Sequence, residues 1–314
     1  MTALPIGTIA VLGEALIDLV ETGDDEPRLA RPGGSPYNVA IGLARLGRPT
    51  AFVGRLSHDP LGTILRNHAA RSGVDLSLSV DANEPTTVAL VELVDGLAQY
   101  RFGVEGTADF RWTDAELAML PSDIAAIHFG SLASWTPPGD AAVAGRVAAL
   151  RAEGHVLVSY DPNVRPHLQP DADAARRQIE LALPLVHLAK TSEEDLAYLY
   201  PGTGIEIVAG SWLERGPELV VVTRGEHGST AYTIAIDVSR PVRRIDVVDT
   251  VGAGDAFTSG LLDSIAGRGL LTPDVLRELD ATTLAALLDD AALVAAVTCS
   301  RAGANPPRRN ELNG

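Results

Sequence analysis

Short apolar segments of strand length alternate with longer helical segments through most of the chain, and this alternation limits the folds open to it. Helical segments, for example residues 140–152 and 171–185, separate the apolar ones. Strands joined through helices run parallel, because a parallel pair needs a long crossover connection. We therefore expect an α/β fold whose central sheet is mostly parallel and flanked by helices on both faces. The expected sheet strands are residues 8–12, 51–54, 125–129, 156–160, 187–190 and 219–223.

The first long helix carries clear signals at both ends. Ser35 is expected to be its N-cap, and Pro36 suits the first helical position. The helix should run to about residue 46, because Gly47 follows as an end signal. A second helix is expected to start at Asp59-Pro60.

Two regions, about residues 14–33 and 86–106, break the alternation, because no helix directly follows their strand-like segments. The second region predicts a β-hairpin whose turn is Asp95-Gly96. Together the two regions predict a small antiparallel β-sheet that projects from the main body as a lid. Since no internal repeat or low-complexity linker divides the chain, residues 1–314 are expected to form a single α/β domain.

Composition limits the partners and the cellular setting. The 314 residues are 46% hydrophobic, as in globular proteins, and carry a formal net charge of −16. This acidic balance argues against nucleic acid and against an anionic membrane as partners. No apolar run is expected to span a bilayer, and no secretion signal is expected. Cys299 is the only cysteine, which excludes an internal disulfide and fits a cytoplasmic setting.

The segment 249–257 ends a polar run and opens a long apolar helix. Gly252, Ala253 and Gly254 offer backbone N–H groups at a helix N-terminus, which bind anions well, and Asp255 places a carboxylate beside them. A dinucleotide fingerprint would need a third glycine where Phe257 stands. An anion cradle with a neighbouring base is what phosphoryl transfer to a hydroxyl requires. The alternative is an ordinary glycine-rich helix start with Asp255 as a favourable first-turn acid.

A second glycine motif lies at residues 33–38. The paired glycines Gly33 and Gly34 let the backbone approach a ligand closely, and Asn38 offers both a donor and an acceptor. Asp18, on the adjacent expected strand, adds an acceptor for hydroxyl groups. The set suits a neutral polyol. The alternative is a loop followed by a helix cap, and Ser35 is assigned to that capping role.

Three further polar segments follow expected strands, where open α/β sheets bind their ligands. In the first, Asp161-Pro162-Asn163-x-Arg165, the arginine could hold a phosphate in bidentate fashion, although a turn with a surface arginine is the alternative. In the second, Lys190 ends a strand where phosphates would bind, and Glu193 could hold water-bound Mg²⁺. The third, residues 223–228, could border a nucleotide base.

These five segments, in this order, resemble the ribokinase-like (PfkB) family of carbohydrate kinases almost from end to end. The two glycine motifs, within residues 33–47 and 249–262, carry most of the resemblance. It implies a ribokinase-like fold with a β-sheet lid, ATP as the phosphoryl donor, Mg²⁺ as cofactor and a sugar hydroxymethyl group as the acceptor. A homodimer through the lid is a further expectation, because an exposed sheet edge needs a cover.

The resemblance assigns roles to individual residues of this chain. Asp255 corresponds to the catalytic base, and the anion hole corresponds to Gly252, Ala253 and Gly254. Arg165 would stabilise the charge of the transferred phosphoryl group beside them. The expected sugar contacts are Asp18, Gly33, Gly34, Asn38 and Asp255. The expected cofactor-binding residues are Lys190, Glu193, Thr223, Gly225, Gly228 and Gly254. A monovalent cation such as K⁺ would be bound, mainly through carbonyl oxygens, near Asp249, Val251, Arg301 and Gly303.

Within the family, residues 161–165 and 190–194 look like the fructokinase branch. Lys190 stands where many members have an asparagine, and Gly103-Val104 replace the Tyr-Arg pair of ketodeoxygluconate kinases. The expected activity is therefore ATP-dependent phosphorylation of D-fructose at its 6-hydroxyl. The alternatives are a kinase for ribose, ketodeoxygluconate, another ketose or a nucleoside, and a non-catalytic sugar or nucleotide sensor.

Overall fold

The computed structural model describes residues 4–21, 28–94 and 97–312. Its strands are β1 (Ile9–Leu12), β2 (Leu16–Val20), β3 (Leu29–Gly33), β4 (Thr50–Val53), β5 (Arg55–Ser57), β6 (Val80–Ala82), β7 (Val88–Val94), β8 (Leu97–Gly103), β9 (Ala126–Gly130), β10 (Leu157–Asp161), β11 (Leu188–Ser192), β12 (Leu219–Thr223), β13 (Ser229–Tyr232) and β14 (Asp237–Arg240). Its α-helices are α1 (Ser35–Arg45), α2 (Pro60–Ser72), α3 (Asp114–Leu117), α4 (Asp140–Ala152), α5 (Ala172–Ala182), α6 (Glu193–Leu199), α7 (Ile205–Leu213), α8 (Ala253–Gly267) and α9 (Ala281–Cys299).

Eight strands form the central sheet, in the order β14-β13-β12-β11-β10-β9-β1-β4. The six strands from β12 to β4 pair in parallel, as the alternation of strands and helices predicts. The expected strands are present, with bounds that differ by at most two residues. β13 and β14 add an antiparallel edge that the sequence reasoning did not anticipate. Their short connections explain the direction, since two-residue to five-residue links join antiparallel strands.

Helices cover both faces of the sheet, as expected for a parallel sheet. On one face, α4, α5 and α7 bury side chains such as Val147, Ile179 and Trp212. On the other, α1, α2, α8 and α9 do the same with side chains that include Leu43 and Leu261. The apolar side chains of these helices thus bury the central sheet from both sides.

No segment was expected to be able to span a bilayer, but helix α9 is long enough and apolar enough to do so. In this fold it packs against α8, β13 and β14. It buries Leu284, Leu287 and Leu288 in the core on that side of the sheet. The long apolar helix thus serves as a core helix of the α/β fold.

The expected lid is a separate four-stranded sheet in the order β3-β2-β7-β8. Its two outer pairs are antiparallel, as predicted, whereas the central pair of β2 and β7 runs parallel. The chain enters β7 only after passing through α2, so β2 and β7 are joined by a long crossover, which permits the parallel pairing. The predicted turn Asp95-Gly96 lies outside the described residues.

The N-terminus of α1 corrects one expectation. Gly34, with φ of 102°, is the N-cap, and Ser35 is the first helical residue rather than the cap. No side-chain capping bond is present there. A Cβ at Gly34 would lie 2.6 Å from the Glu14 carbonyl oxygen, so only glycine fits this close approach. The Ser35 side chain is therefore free to point elsewhere, and it points towards α8.

Candidate active site

A cavity of about 160 Å³ lies between the lid and the carboxyl end of the central sheet. Segments distant in sequence converge on it, including the β1–β2 connection, the N-termini of α1 and α8, and the residues after β9 and β10. Among its lining residues are the predicted Asp18, Gly34, Asn38, Arg165, Val251, Gly252 and Asp255. The structure thus brings most of the expected sugar-binding and phosphoryl-transfer residues together, while Gly33, Ala253 and Gly254 adjoin lining residues in sequence but are not in the lining.

Asp255 lies in the first turn of α8 and is 9% exposed. Its two carboxylate oxygens accept hydrogen bonds from two side chains of α1, Ser35 Oγ at 2.7 Å and Asn38 Nδ2 at 2.8 Å. Burial raises the pKa of the Asp255 carboxyl, and the bonds from Asn38 and Ser35 oppose that effect. A carboxylate with a raised pKa that is held at a cavity wall suits proton transfer.

Sequence reasoning missed Ser35 as a site residue because serine before a helix usually caps it. In the fold, its bond to Asp255 joins residues 220 positions apart. The capping position had already been taken by Gly34. The glycine pair was the available signal, because a glycine N-cap releases the following serine from capping.

The N-terminus of α8 presents unpaired amides. Gly252 is the N-cap with φ of 75°, and a Cβ there would lie 2.6 Å from the Ala304 side chain. Ala253 N–H donates to the Thr250 carbonyl at 3.1 Å, so this predicted anion-hole amide is used within the turn. Across the described parts of the chain, the N–H groups of Gly252, Gly254 and Asp255 have no protein acceptor. These three amides are the ones available to an anion.

Lys190 lies behind these amides in the middle of β11, which continues two residues beyond the strand end expected at Lys190. Its ammonium is 2.8 Å from Asp161 Oδ2, and both side chains are buried. A Cβ at Gly254 would lie 3.2 Å from Lys190 Nζ, so glycine leaves room for the lysine head. Burial opposes the charged lysine, but the neighbouring acids, Asp161 first among them, outweigh it and raise the pKa of Lys190. The site therefore keeps one fixed positive charge beside the free amides.

The lid supplies the other wall through Leu16 and Asp18 of β2 and Phe102 of β8. Asp18 is paired in register with Arg31, and a Cβ at Gly33 would lie 3.0 Å from the Asp18 Cγ atom. Gly33 therefore makes room for the carboxylate. Burial raises the pKa of Asp18 to about 6, with Arg165 opposing and Asp255 adding to the rise. An acid in this position can accept hydrogen bonds from hydroxyl groups.

Arg165 borders the same cavity from the turn after β10. Its Nη1 donates to the Asn163 side-chain oxygen at 2.6 Å and to two backbone carbonyls of that turn. Asn163 has φ of 43°, one of two positive values among the described non-glycine residues. The turn therefore holds the guanidinium in place, and the other guanidinium nitrogens have no hydrogen-bond partner among the described residues.

Glu14 is a further cavity residue that sequence reasoning did not select. It is 1% exposed, and its carboxylate accepts a hydrogen bond from Ala133 N–H at 3.1 Å. Burial raises the pKa of Glu14, against the hydrogen bond from Ser131. No sequence pattern distinguishes this acid from a surface glutamate, because its partners lie 119 residues further along the chain.

The other predicted nucleotide-binding residues lie outside the cavity lining, along neighbouring strand ends. Glu193 is the first residue of α6, directly after β11. Thr223 ends β12, and Gly225 and Gly228 lie in the loop that follows. Gly228 has φ of 87° and lies close to the backbone of Arg240, so its role is at least partly structural.

The predicted cation segments also meet. Asp249 accepts hydrogen bonds from Val251 N–H at 3.0 Å and from Gly303 N–H at 2.7 Å. The Arg301 side chain instead pairs with Glu311 at 2.7 Å, which leaves its carbonyl as the group that a cation could use. The described residues contain no group of three or more histidine, cysteine or acidic side chains arranged to hold a metal.

Comparison with known proteins places this geometry in a family. The model of pfkB family carbohydrate kinases matches residues 7–311. A fructokinase of Rhizobium leguminosarum bv. trifolii is 38% identical over 282 residues, covering 88% of this chain and 85% of that protein.

Two solved structures are similar over 98% of both chains. One is a fructokinase with bound ATP from Xylella fastidiosa, with 29% identity and a TM-score of 0.88. The other is the aminoimidazole riboside kinase of Salmonella enterica, complexed with its riboside and an ATP analogue, with 26% identity and a TM-score of 0.81. The expected ribokinase-like fold is confirmed. With a family match across nearly its whole length, the chain belongs to the pfkB family of carbohydrate kinases.

Proposed function

We propose that this chain is a fructokinase, which transfers the γ-phosphoryl group of ATP to the 6-hydroxyl of D-fructose. The observation that carries the proposal is the position of Asp255. Its buried carboxylate lies at the amide-rich N-terminus of α8 and at the wall of a polar cavity. A base and an anion cradle therefore meet where a sugar hydroxyl can enter.

In the proposed reaction, Asp255 orients the sugar hydroxyl and accepts its proton as the oxygen attacks phosphorus. Ser35 and Asn38 hold both carboxylate oxygens from α1, which fixes the direction of the acid. The raised pKa of Asp255 makes it a stronger base than an exposed aspartate. The proton passes from the hydroxyl oxygen to the carboxylate, and the bond to the leaving ADP oxygen breaks.

The charge on the transferred phosphoryl group is proposed to be stabilised by fixed dipoles and cations. The free N–H groups of Gly252, Gly254 and Asp255 point from the helix N-terminus, with Lys190 behind them. Arg165 lines the same cavity. Such preorganised donors act without the reorganisation cost that water would bring.

The sugar is proposed to bind between Asp18, Asn38 and the backbone at Gly33 and Gly34, under the lid. Closing the lid would exclude water, so that the sugar hydroxyl and not water attacks. The 160 Å³ cavity is of the size of one small ligand.

ATP and Mg²⁺ are the proposed co-reactants. Mg²⁺ is commonly held by substrate phosphates, water and one or two carboxylates. Glu193, the first residue of α6, is the residue we propose for it. When bound, Mg²⁺ would neutralise phosphate charge. Thr223, Gly225 and Gly228 are proposed to border the nucleotide, and Asp249, Val251, Arg301 and Gly303 a monovalent cation such as K⁺.

Two assignments about the setting belong to the same proposal. The lid has two edge strands, β3 and β8, and these are the surfaces on which we propose a homodimer. A cytoplasmic location accords with a single cysteine and with ATP as the donor.

The test is ADP release coupled to NADH oxidation, over a panel of fructose, ribose, ketodeoxygluconate, tagatose 6-phosphate and adenosine. The proposal expects the highest kcat/KM with fructose, and a product that carries phosphate on C6. A nucleoside substrate is the second candidate, because the chain also resembles a riboside kinase over 98% of its length. Ligand binding without ADP release from any panel member would instead indicate a sensor.

A further inference from the structure

Asp161, the last residue of β10, contacts three parts of the site, and none of the proposed roles explains these contacts. It is 2% exposed, and its side chain is the direct partner of the Lys190 ammonium at 2.8 Å. The second carboxylate oxygen accepts the Asn163 N–H at 3.1 Å. Its backbone carbonyl accepts the Ser131 N–H at 2.9 Å. One buried residue thus binds three neighbours on three different segments.

Two of those neighbours have strained backbones. Ser131 and Asn163, with φ of 51° and 43°, are the non-glycine residues with positive φ in the described chain. Such conformations persist only where their surroundings hold them, and they concentrate at functional sites. Both hydrogen bonds from these residues end on Asp161. Asp161 therefore stabilises the turns that carry Ser131 and Arg165, and both of these residues line the cavity.

The third neighbour lies on the phosphate side. Lys190 is 5% exposed. Two other acids, Asp195 on α6 and Asp255 on α8, lie further from its ammonium than Asp161 does. His128 on β9 also faces Lys190, and burial lowers its pKa to about 4, so this imidazole is neutral. The Asp161 carboxylate is thus the bonded partner that fixes the ammonium beside Gly254. Burial alone would favour the uncharged amine.

We propose that Asp161 is a positioning residue for phosphoryl transfer, which acts through Lys190 by holding its ammonium charged and fixed behind the free amides of α8. The inference rests on the proposed kinase function of this site. It assigns Asp161 no contact with the substrate. Its effect on nucleotide binding should therefore depend entirely on the presence of Lys190.

A double-mutant cycle tests this dependence. The variants are Asp161→Asn, Lys190→Met and the combination of both. Asparagine keeps an oxygen for the Asn163 N–H, so the turn is retained while the ion pair is lost. The double variant removes both buried charges, so neither is left unpaired, and it remains informative if Asp161→Asn alone does not fold.

The measurement is the ADP dissociation constant by calorimetry, which needs no turnover, together with kcat/KM for ATP. Asp161→Asn removes the carboxylate that pairs with the buried Lys190 ammonium. Because the ammonium is then no longer fixed beside the α8 amides, we expect ADP binding to weaken by roughly tenfold or more. In the Lys190→Met background, adding Asp161→Asn should change ADP affinity by less than about twofold. The proposal would be overturned if Asp161→Asn bound ADP within about twofold of the wild-type affinity. It would also be overturned if the fold-changes in the ADP dissociation constant of the two single variants multiplied in the double variant.

Glu218→Gln is the matched control. Glu218 is also a buried carboxylate in ion pairs, with Arg151 at 3.5 Å and Arg277 at 3.4 Å, but it precedes β12 at the amino end of the strand. It should lower the thermal unfolding midpoint without changing ADP affinity. A wild-type protein that binds ADP but phosphorylates no sugar would contradict the proposed function, while the cycle in ADP affinity would still decide the role of Asp161. A wild-type protein that does not bind ADP would overturn both.

Discussion

Replacing Asp255 with asparagine separates the chemistry of the proposed base from its structural contacts. The carboxylate accepts bonds from Ser35 and Asn38 at 2.7 and 2.8 Å. Asparagine has the same shape and keeps one oxygen for Ser35, and the Asn38 carboxamide can turn so that its oxygen accepts the new N–H. The variant therefore loses the proton acceptor and retains the local geometry.

The expected loss in kcat follows from the role of a general base. Positioned proton transfer contributes roughly 10²- to 10⁴-fold, and Asp255→Asn should lower kcat by about that factor. The KM for sugar should change by no more than a few-fold, because Asp18 and Asn38 remain in the cavity. ADP affinity should also be maintained, since the α8 amides are unchanged.

The unfolding midpoint of Asp255→Asn, in contrast to its kcat, should not fall. Burial raises the pKa of Asp255, so keeping this group ionised in the folded protein costs free energy at every pH above that pKa. Asparagine removes this cost, and the unfolding midpoint of the variant at pH 7.5 should equal or exceed that of the wild type. Such a gain with lost turnover is typical of active-site residues.

Asp263→Asn is the control on the same helix. Asp263 is buried, pairs with Arg48 at 2.5 Å and also contacts Arg309, away from the cavity. Its substitution should lower the unfolding midpoint and leave kcat within about twofold, because loss of a buried pair costs stability only. Coupled ADP release gives kcat, and scanning calorimetry gives the midpoint. Near-normal kcat in Asp255→Asn, in a protein of normal sugar KM, would refute the assignment of the base.

Three further perturbations have expected outcomes. Ser35→Ala removes a hydrogen bond that lowers the pKa of Asp255, so the acidic limb of the kcat profile should move to higher pH, and the loss of kcat, up to roughly tenfold, should be largest on that limb; an unmoved limb would contradict this. Gly33→Ala should raise the sugar KM, because the new Cβ would displace the Asp18 carboxylate. Gly103→Ala, on another lid strand, should leave the KM unchanged, because its Cβ would meet only the Val88 carbonyl oxygen at 3.5 Å. Equal changes in KM for the two variants would contradict the claim that Gly33 makes room for Asp18. Since the pKa of Asp18 is about 6, the carboxylate loses its charge as the pH falls through that value, and the sugar KM should rise below pH 6; a flat KM between pH 5 and 7.5 would be inconsistent with its role.

The fold was predictable from sequence where the signal is local. Apolar periodicity predicted the parallel strands within one or two residues, and Asp59 caps α2 as its sequence indicates. The predicted small antiparallel sheet was also confirmed as a sheet separate from the central one. The parallel pairing of β2 with β7 was not predictable in the same way, because register between distant strands is decided by tertiary packing.

The candidate site shows the same division. Glycine spacing identified the α8 N-terminus and the Gly33-Gly34 turn, since only glycine permits these close approaches. The partners that tune the site were missed. Ser35 binds Asp255 across 220 residues, and Glu14 binds Ala133 across 119. The hydrogen bond from Ala253 N–H to the Thr250 carbonyl was also not predictable from sequence, because residue types do not specify the direction in which that carbonyl points.

The measurement that tests the central claim most directly is the position of the phosphate on the product. Purified protein with ATP, Mg²⁺ and D-fructose should release one ADP for each sugar phosphorylated. Phosphorus–proton NMR correlation should then place the phosphate on C6, the position that the proposed reaction requires. A higher kcat/KM for a nucleoside, phosphate on another carbon, or the absence of ADP release with every sugar tested would contradict the account.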